Sequence, residues 1–356
     1  AYQFSDNFSF GASINFNYAG VGIDLPFREP NLGLQWLDSL RRGSCIKDGQ
    51  TPTSFVSLED FIPCIPESEA VKLYDTLGIL KFEVQKPLTL GVNVGALWKA
   101  TPWWTLGTVY QSPIPMDMEG DYSWDQGKSL LNFFQKLDQN IPVDFTKMGA
   151  LSALVEPRTT GKAKVSMTMP DHFAIGSSLQ VTPRWKLNTD LKFTRWSYWK
   201  DIPVKFSNPI GVIVIANVIQ PEAAPAPAGK AISFPLGLQD TWNTAFGLEY
   251  QWNDQLALRV GYEDRPSSIP KEARSPLMPI GDAKLYSVGA EFTPNNTQTF
   301  NLAVANLRST TFMPGNTSRL GNLEDYRIFV YNPYSGDDIN ASLNVWMIEG
   351  SYRVAW

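Results

Sequence analysis

Between Phe8 and Tyr18 every second residue is apolar or aromatic: Phe8, Phe10, Ala12, Ile14, Phe16 and Tyr18 alternate with Ser9, Gly11, Ser13, Asn15 and Asn17. A repeat of two is that of a β-strand, whose successive side chains point to opposite faces. The pattern returns over 88–98, 185–193, 242–252 and 256–262, and less regularly over 103–118, 163–181, 284–293, 298–307 and 342–356. Several stretches exceed the roughly nine residues that a tilted strand needs to cross a bilayer. Strands of a soluble sandwich are usually about five or six residues long. Many of these stretches also begin or end on an aromatic ring, among them Trp98, Trp103, Trp185, Trp242, Trp252 and Trp356.

The connections alternate in length as those of an outer-membrane barrel do, short on the periplasmic side and long outside. Short links fall at 100–102, 182–184, 253–255 and 293–298; long ones span roughly 25–84, 119–162, 201–239, 264–283 and 308–341. The expectation is an all-β fold, an antiparallel transmembrane β-barrel forming one domain over 1–356, with about ten strands. Short helices are expected in the external loops 25–84, 119–162 and 201–239. The alternation leaves the last strand descending, with Trp356 on the periplasmic side. Its apolar face meets lipid and its other face the lumen. A terminal aromatic of this kind resembles the signal read by barrel-assembly machinery.

Composition excludes several classes. With 30 basic and 35 acidic residues and a formal net charge of -5, the chain lacks the basic footprint of a nucleic-acid binder. No apolar run approaches the roughly 18 residues of a membrane-spanning helix. The sole histidine, His172, lies in a strand; Ser177 and Ser178 follow it, and no serine has a nucleophile-elbow context. One histidine and two cysteines offer no metal site, and no glycine pattern suits a phosphate. Neither an enzyme nor a cofactor is expected. Cys45 and Cys64 fall in one long loop; they are either two thiols or a disulfide contributing about 3 kcal/mol in an oxidising compartment.

The loops are greasy. Over 31–43, Leu32, Trp36 and Leu40 share a helical face with Leu37 beside them, and Arg41, Arg42 and Gly43 close the stretch. Over 129–137, Leu130, Phe133, Phe134 and Leu137 share another helical face, and 210–219 is a third apolar segment. These stripes either pack together as a cap or leave an apolar groove. Burial worth about 25 cal/mol per Å² would let such a groove hold an acyl chain or aromatic ring. Arg41, Arg42 and Lys136 could meet a carboxylate at its mouth. The rival is a general diffusion porin for small hydrophilic solutes, whose loops would have no use for Phe133, Phe134 or 210–219.

Five stretches resemble, in order, the long-chain fatty acid transporter (FadL/TodX-type) family: "AYQFSDNFSFGASINFNYAGVGIDL", "MPDHFAIG", "TPRWKLNTDLKFTRWSYW", "LQDTWNTAFGLEYQWNDQLALRVGYEDRPSSIP" and the closing aromatic strand. The resemblance implies a monomeric Gram-negative outer-membrane barrel that takes up hydrophobic compounds such as fatty acids or aromatic hydrocarbons. It implies a groove formed by loop helices, an N-terminal plug and a sideways exit through the wall. The family barrel has fourteen strands, so the chain is expected to be a fragment whose plug and first strands lie upstream. Where fatty-acid members carry two cations, this chain aligns Gly20 and Phe234, which makes Phe234 a lumen candidate and a neutral substrate plausible. Gly20 falls on the lipid side of its strand unless a bulge intervenes.

Overall fold

The structure is a computed structural model that describes residues 2–28, 71–72, 75–140, 145–219, 229–275, 278–295, 297–318, 322–323, 334 and 336–354. Fifteen antiparallel strand segments form one open sheet. They are β1 (Tyr2–Ser5), β2 (Phe8–Arg28), β3 (Thr76–Thr101), β4 (Trp104–Gln111), β5 (Ile114–Gln126), β6 (Arg158–Met169), β7 (His172–Gln180), β8 (Trp185–Thr194), β9 (Asp201–Phe206), β10 (Ala231–Pro235), β11 (Thr241–Gln251), β12 (Leu256–Arg265), β13 (Ala283–Asn295), β14 (Gln298–Met313) and β15 (Ile339–Val354). Among the described residues two α-helices lie between them, α1 (Lys128–Asn140) and α2 (Gly211–Ile219).

Four pairs of segments are halves of single paths. Gln111 faces His172 and Ile114 faces Met169, so the register between β4–β5 and β6–β7 carries through both interruptions unchanged. Pro113 and Pro170 sit in those interruptions, and proline cannot donate to the ladder. β8 and β9 are parted by a helical turn at Trp196–Trp199, and β10 and β11 by residues 236–240. Setting β1 aside, the fourteen remaining segments make ten paths, because four of those paths join two segments each.

A line of breaks therefore runs across the sheet from β3 to β11, and the apolar face changes sides along it. Residues directly opposite in an antiparallel pair share a face. Below the line, Phe16 faces Leu90, Ile14 faces Val92 and Phe10 faces Ala96. Above it, Ile23 faces Phe82 and Leu25 faces Leu80. β2 runs unbroken, so even-numbered Phe16 and odd-numbered Ile23 lie on opposite faces. β3 keeps pace through a bulge: Asn17 to Ala19 in β2 is matched by Thr89 to Lys86 in β3, one residue longer, with Pro87 inside it.

Below the breaks the exposed face is apolar from edge to edge, through Phe246, Leu258, Val260, Val288, Leu302 and Ile348. Aromatic rings rim it at both levels, as barrel girdles do. Trp185 and Tyr250 lie 4.5 Å apart and Phe300 and Tyr352 4.8 Å apart at the turn end; Phe193 and Trp242 lie 4.9 Å apart at the other. Gly20 stays on the outer face, beside the Tyr18 ring, because the bulge lies in β3 and not in β2.

The strands run further than the expected loops allow. Thr76–Val84, Glu119–Gln126, Arg158–Lys162, β9 and β10 all fall within 25–84, 119–162 and 201–239, yet they are paired sheet. Their apolar residues point to the face opposite the lipid-type face below, so a reading tuned to one exposed face ends the strands too early.

Candidate functional site

Above the breaks, the switched apolar face carries a buried cluster. Leu80, Phe82, Val84, Met118, Tyr122, Trp124, Val165, Val204 and Phe206 project from the sheet, and α1 and α2 cover them. The α1 stripe Leu130, Phe133, Phe134 and Leu137 is wholly buried in this cluster, with the two phenyl rings 5.2 Å apart and edge-on. α2 buries Val212, Ile213, Val214 and Ile215; a helix apolar all round belongs inside, and packing overrides the weak helix propensity of its β-branched run. Phe234 of β10 packs against the same cluster, half-buried.

The buried Trp124, Gln126 and Tyr122 side chains of the cluster find polar partners, whereas the Thr159 hydroxyl opposite Trp124 has none. The Trp124 indole donates to Gln126 Oε1 at 3.3 Å, the Gln126 amide donates to the Leu154 carbonyl at 2.6 Å, and the Tyr122 hydroxyl donates to the Asn208 carbonyl at 2.9 Å. Burial pushes the Tyr122 hydroxyl above its ordinary range. The Trp124 ring lies over Gly78, where any Cβ would collide with the indole.

Five of the expected ligand residues, Leu130, Phe133, Phe134, Leu137 and Phe234, thus come together. Lys136 lies half-buried on α1 and is engaged by neighbours. Trp36, Leu37, Leu40, Arg41, Arg42, Cys45, Cys64 and Trp356 lie outside the described residues. Sequence reasoning missed Phe27, Tyr122, Trp124 and Phe206. The signal was present in β5, where Met116, Met118, Tyr122 and Trp124 alternate with Asp117, Glu119, Asp121 and Asp125.

Below the cluster, on the sheet's polar face, charges pair with one another. Arg259 donates to Glu249 at 2.6 Å, to Glu291 at 2.9 Å and to Asn301 at 3.1 Å, and Lys186 lies 4.0 Å from Glu249. Glu263 takes Lys192 at 3.5 Å and Arg265 at 2.8 Å. From β8 to β13 every basic side chain on this face is held by a carboxylate. His172 Nδ1 meets Thr194 Oγ1 at 2.9 Å, while Ser177 accepts a hydrogen bond from the Trp104 indole at 2.9 Å.

A girdled apolar wall, a polar face behind it and a helix-covered apolar cluster at the long-loop end describe a barrel with an outer cap. Comparison with known proteins agrees: the family described as outer membrane protein transport protein (OMPP1/FadL/TodX) matches residues 1–323. The chain belongs to that family. A long-chain fatty acid transport protein of Escherichia coli O6:H1 is 22% identical over 208 residues, 58% of this chain and 39% of that protein. The crystal structure of a Pseudomonas aeruginosa FadL homologue shares the fold at a TM-score of 0.62 and 18% identity, covering 99% of this chain and 65% of that one. The CymD monoaromatic hydrocarbon channel shares it at a TM-score of 0.51 and 15% identity, over 99% of this chain and 71% of that one. The chain thus spans well under half the length of the fatty acid transport protein it matches. As a FadL/TodX-family protein it is an integral outer-membrane β-barrel, and its apolar band faces lipid.

Proposed function

We propose that this protein takes up hydrophobic compounds across the outer membrane, capturing them at the apolar surfaces of the outer cap and passing them into the barrel. The observation that carries the reading is the cluster of α1, α2 and Phe234 on the lumen side of the sheet, above a polar channel wall. Leu130, Phe133, Phe134 and Leu137 give that end an apolar interior where a ligand sheds its water. Trp36, Leu37 and Leu40, with Arg41 and Arg42, belong to the same proposal as the groove's other wall and rim.

The substrate class follows from the pairing of charges. A carboxylate entering the lumen meets Lys186, Lys192, Arg259 and Arg265 already committed to glutamates, and an unpaired buried charge is costly. Neutral hydrophobic molecules are therefore accepted about as readily as acids. Displacement of an apolar fluorescent probe by a long-chain fatty acid and by its methyl ester tests this. The acid is expected to win by less than about tenfold, the equivalent of about 1.4 kcal/mol. Small hydrophilic solutes are expected to displace nothing. Failure of both lipids to displace the probe would refute capture, and a much larger preference for the acid would refute the neutral class.

A further inference from the structure

We propose that the outward face of the strands above the breaks is a docking surface for the phosphate-bearing headgroups of the glycolipid in the outer leaflet. This rests on the position and pairing of charged residues and not on the transport reading.

The surface continues the lipid-facing wall. On β2 the even-numbered side that carries Phe16 and Tyr18 goes on to Gly20, Gly22 and Asp24. Next to it stand Gln85, Glu83 and Lys81 of β3, then Glu119, Asp121 and Ser123 of β5, then Lys164, Lys162 and Thr160 of β6. Within a few residues the same side of the same sheet turns from hydrocarbon chemistry to dense charge. That level is where a membrane's headgroups lie.

The charges are sorted into columns. Lys164 lies directly opposite Lys205 of β9, and Glu83 directly opposite Asp121. Like charges so placed destabilise a sheet by themselves. Lys164 bonds Glu119 at 3.0 Å, which holds the lysine pKa above its ordinary range, and Lys162 bonds Asp121 at 2.6 Å. Lys205 is exposed and has no ion-pair partner among the described residues; Glu83 likewise has none. A phosphate seated between Lys164 and Lys205 relieves the basic pair. An adsorbed lipid is thus held by the apolar band through its chains and by Lys164 and Lys205 through its phosphate.

Native mass spectrometry of the detergent-purified protein tests this, with a diphosphorylated lipid A as probe and its dephosphorylated form as control. The wild type is expected to retain the phosphorylated lipid preferentially. The double variant K164Q/K205Q is expected to bind it about twenty-five-fold more weakly, at about fivefold per lysine. K271Q, which removes an exposed lysine on the β12–β13 connection, is expected to bind as the wild type does. The altered side chains are solvent-facing, and heat-modified gel mobility verifies that each variant is folded. Equal retention of the two lipids, undiminished binding by K164Q/K205Q, or a protein dimer that K164Q/K205Q dissolves would overturn the proposal.

Discussion

The same strands cross two regions that treat an apolar side chain in opposite ways. In the membrane band, Ile14 and Phe16 of β2 are 63% and 74% exposed and face hydrocarbon. In the outer cap, Phe27 of the same strand is 1% exposed and meets the edge of Trp124 with ring centroids 5.6 Å apart. β2 has not changed its geometry between the two; the surroundings have. Apolar residues go wherever water is excluded, which is outward where lipid lies outside and inward where helices cover the inner face. The break line is where one solution gives way to the other.

The comparison can be broken at the cap first, where the effect is largest. Trp124→Ala removes the largest fully buried side chain of the cluster and is expected to cost about 3–5 kcal/mol. The loss should be confined to the cap: near-ultraviolet circular dichroism would melt early, while the far-ultraviolet strand signal would keep its wild-type transition. Simultaneous loss of both signals would show that cap and barrel are one cooperative unit.

A smaller effect sharpens the other half. Val288 faces lipid at mid-wall, and Val288→Arg is expected to lower stability by about 2–4 kcal/mol in refolding into vesicles. Ser287, the neighbouring residue, lies opposite Gly261 and Ala305 on the lumen face, so Ser287→Arg is expected to be nearly neutral. Equal costs at the two positions would mean that the faces are not distinct.

Much of this was legible in the sequence. The ten paths followed from repeat, length and aromatic ends, and α1 from the spacing of Leu130, Phe133, Phe134 and Leu137. The cap's sheet was harder, for a physical reason that differs between two adjacent strands. In β2 the switch is written in the residues: the apolar set is even-numbered up to Tyr18 and odd-numbered from Val21 to Phe27. In β3 it is hidden, since Leu80, Phe82, Val84, Leu90 and Val92 keep one parity and the backbone bulge at Pro87 turns them over. The pairing of Lys164 with Lys205, and of Arg259 with Glu249 and Glu291, needs register across strands distant in sequence, which no single-strand pattern carries.

Spin-label accessibility along β2 tests the central claim most directly. Labels at Ile14 and Phe16 should collide with dissolved oxygen, labels at Gly22 and Asp24 with a water-soluble nickel chelate, and labels at Leu25 and Phe27 with neither. Oxygen contact that continued at even positions through Gly22 and Asp24, with Leu25 and Phe27 open to water, would contradict the change of faces.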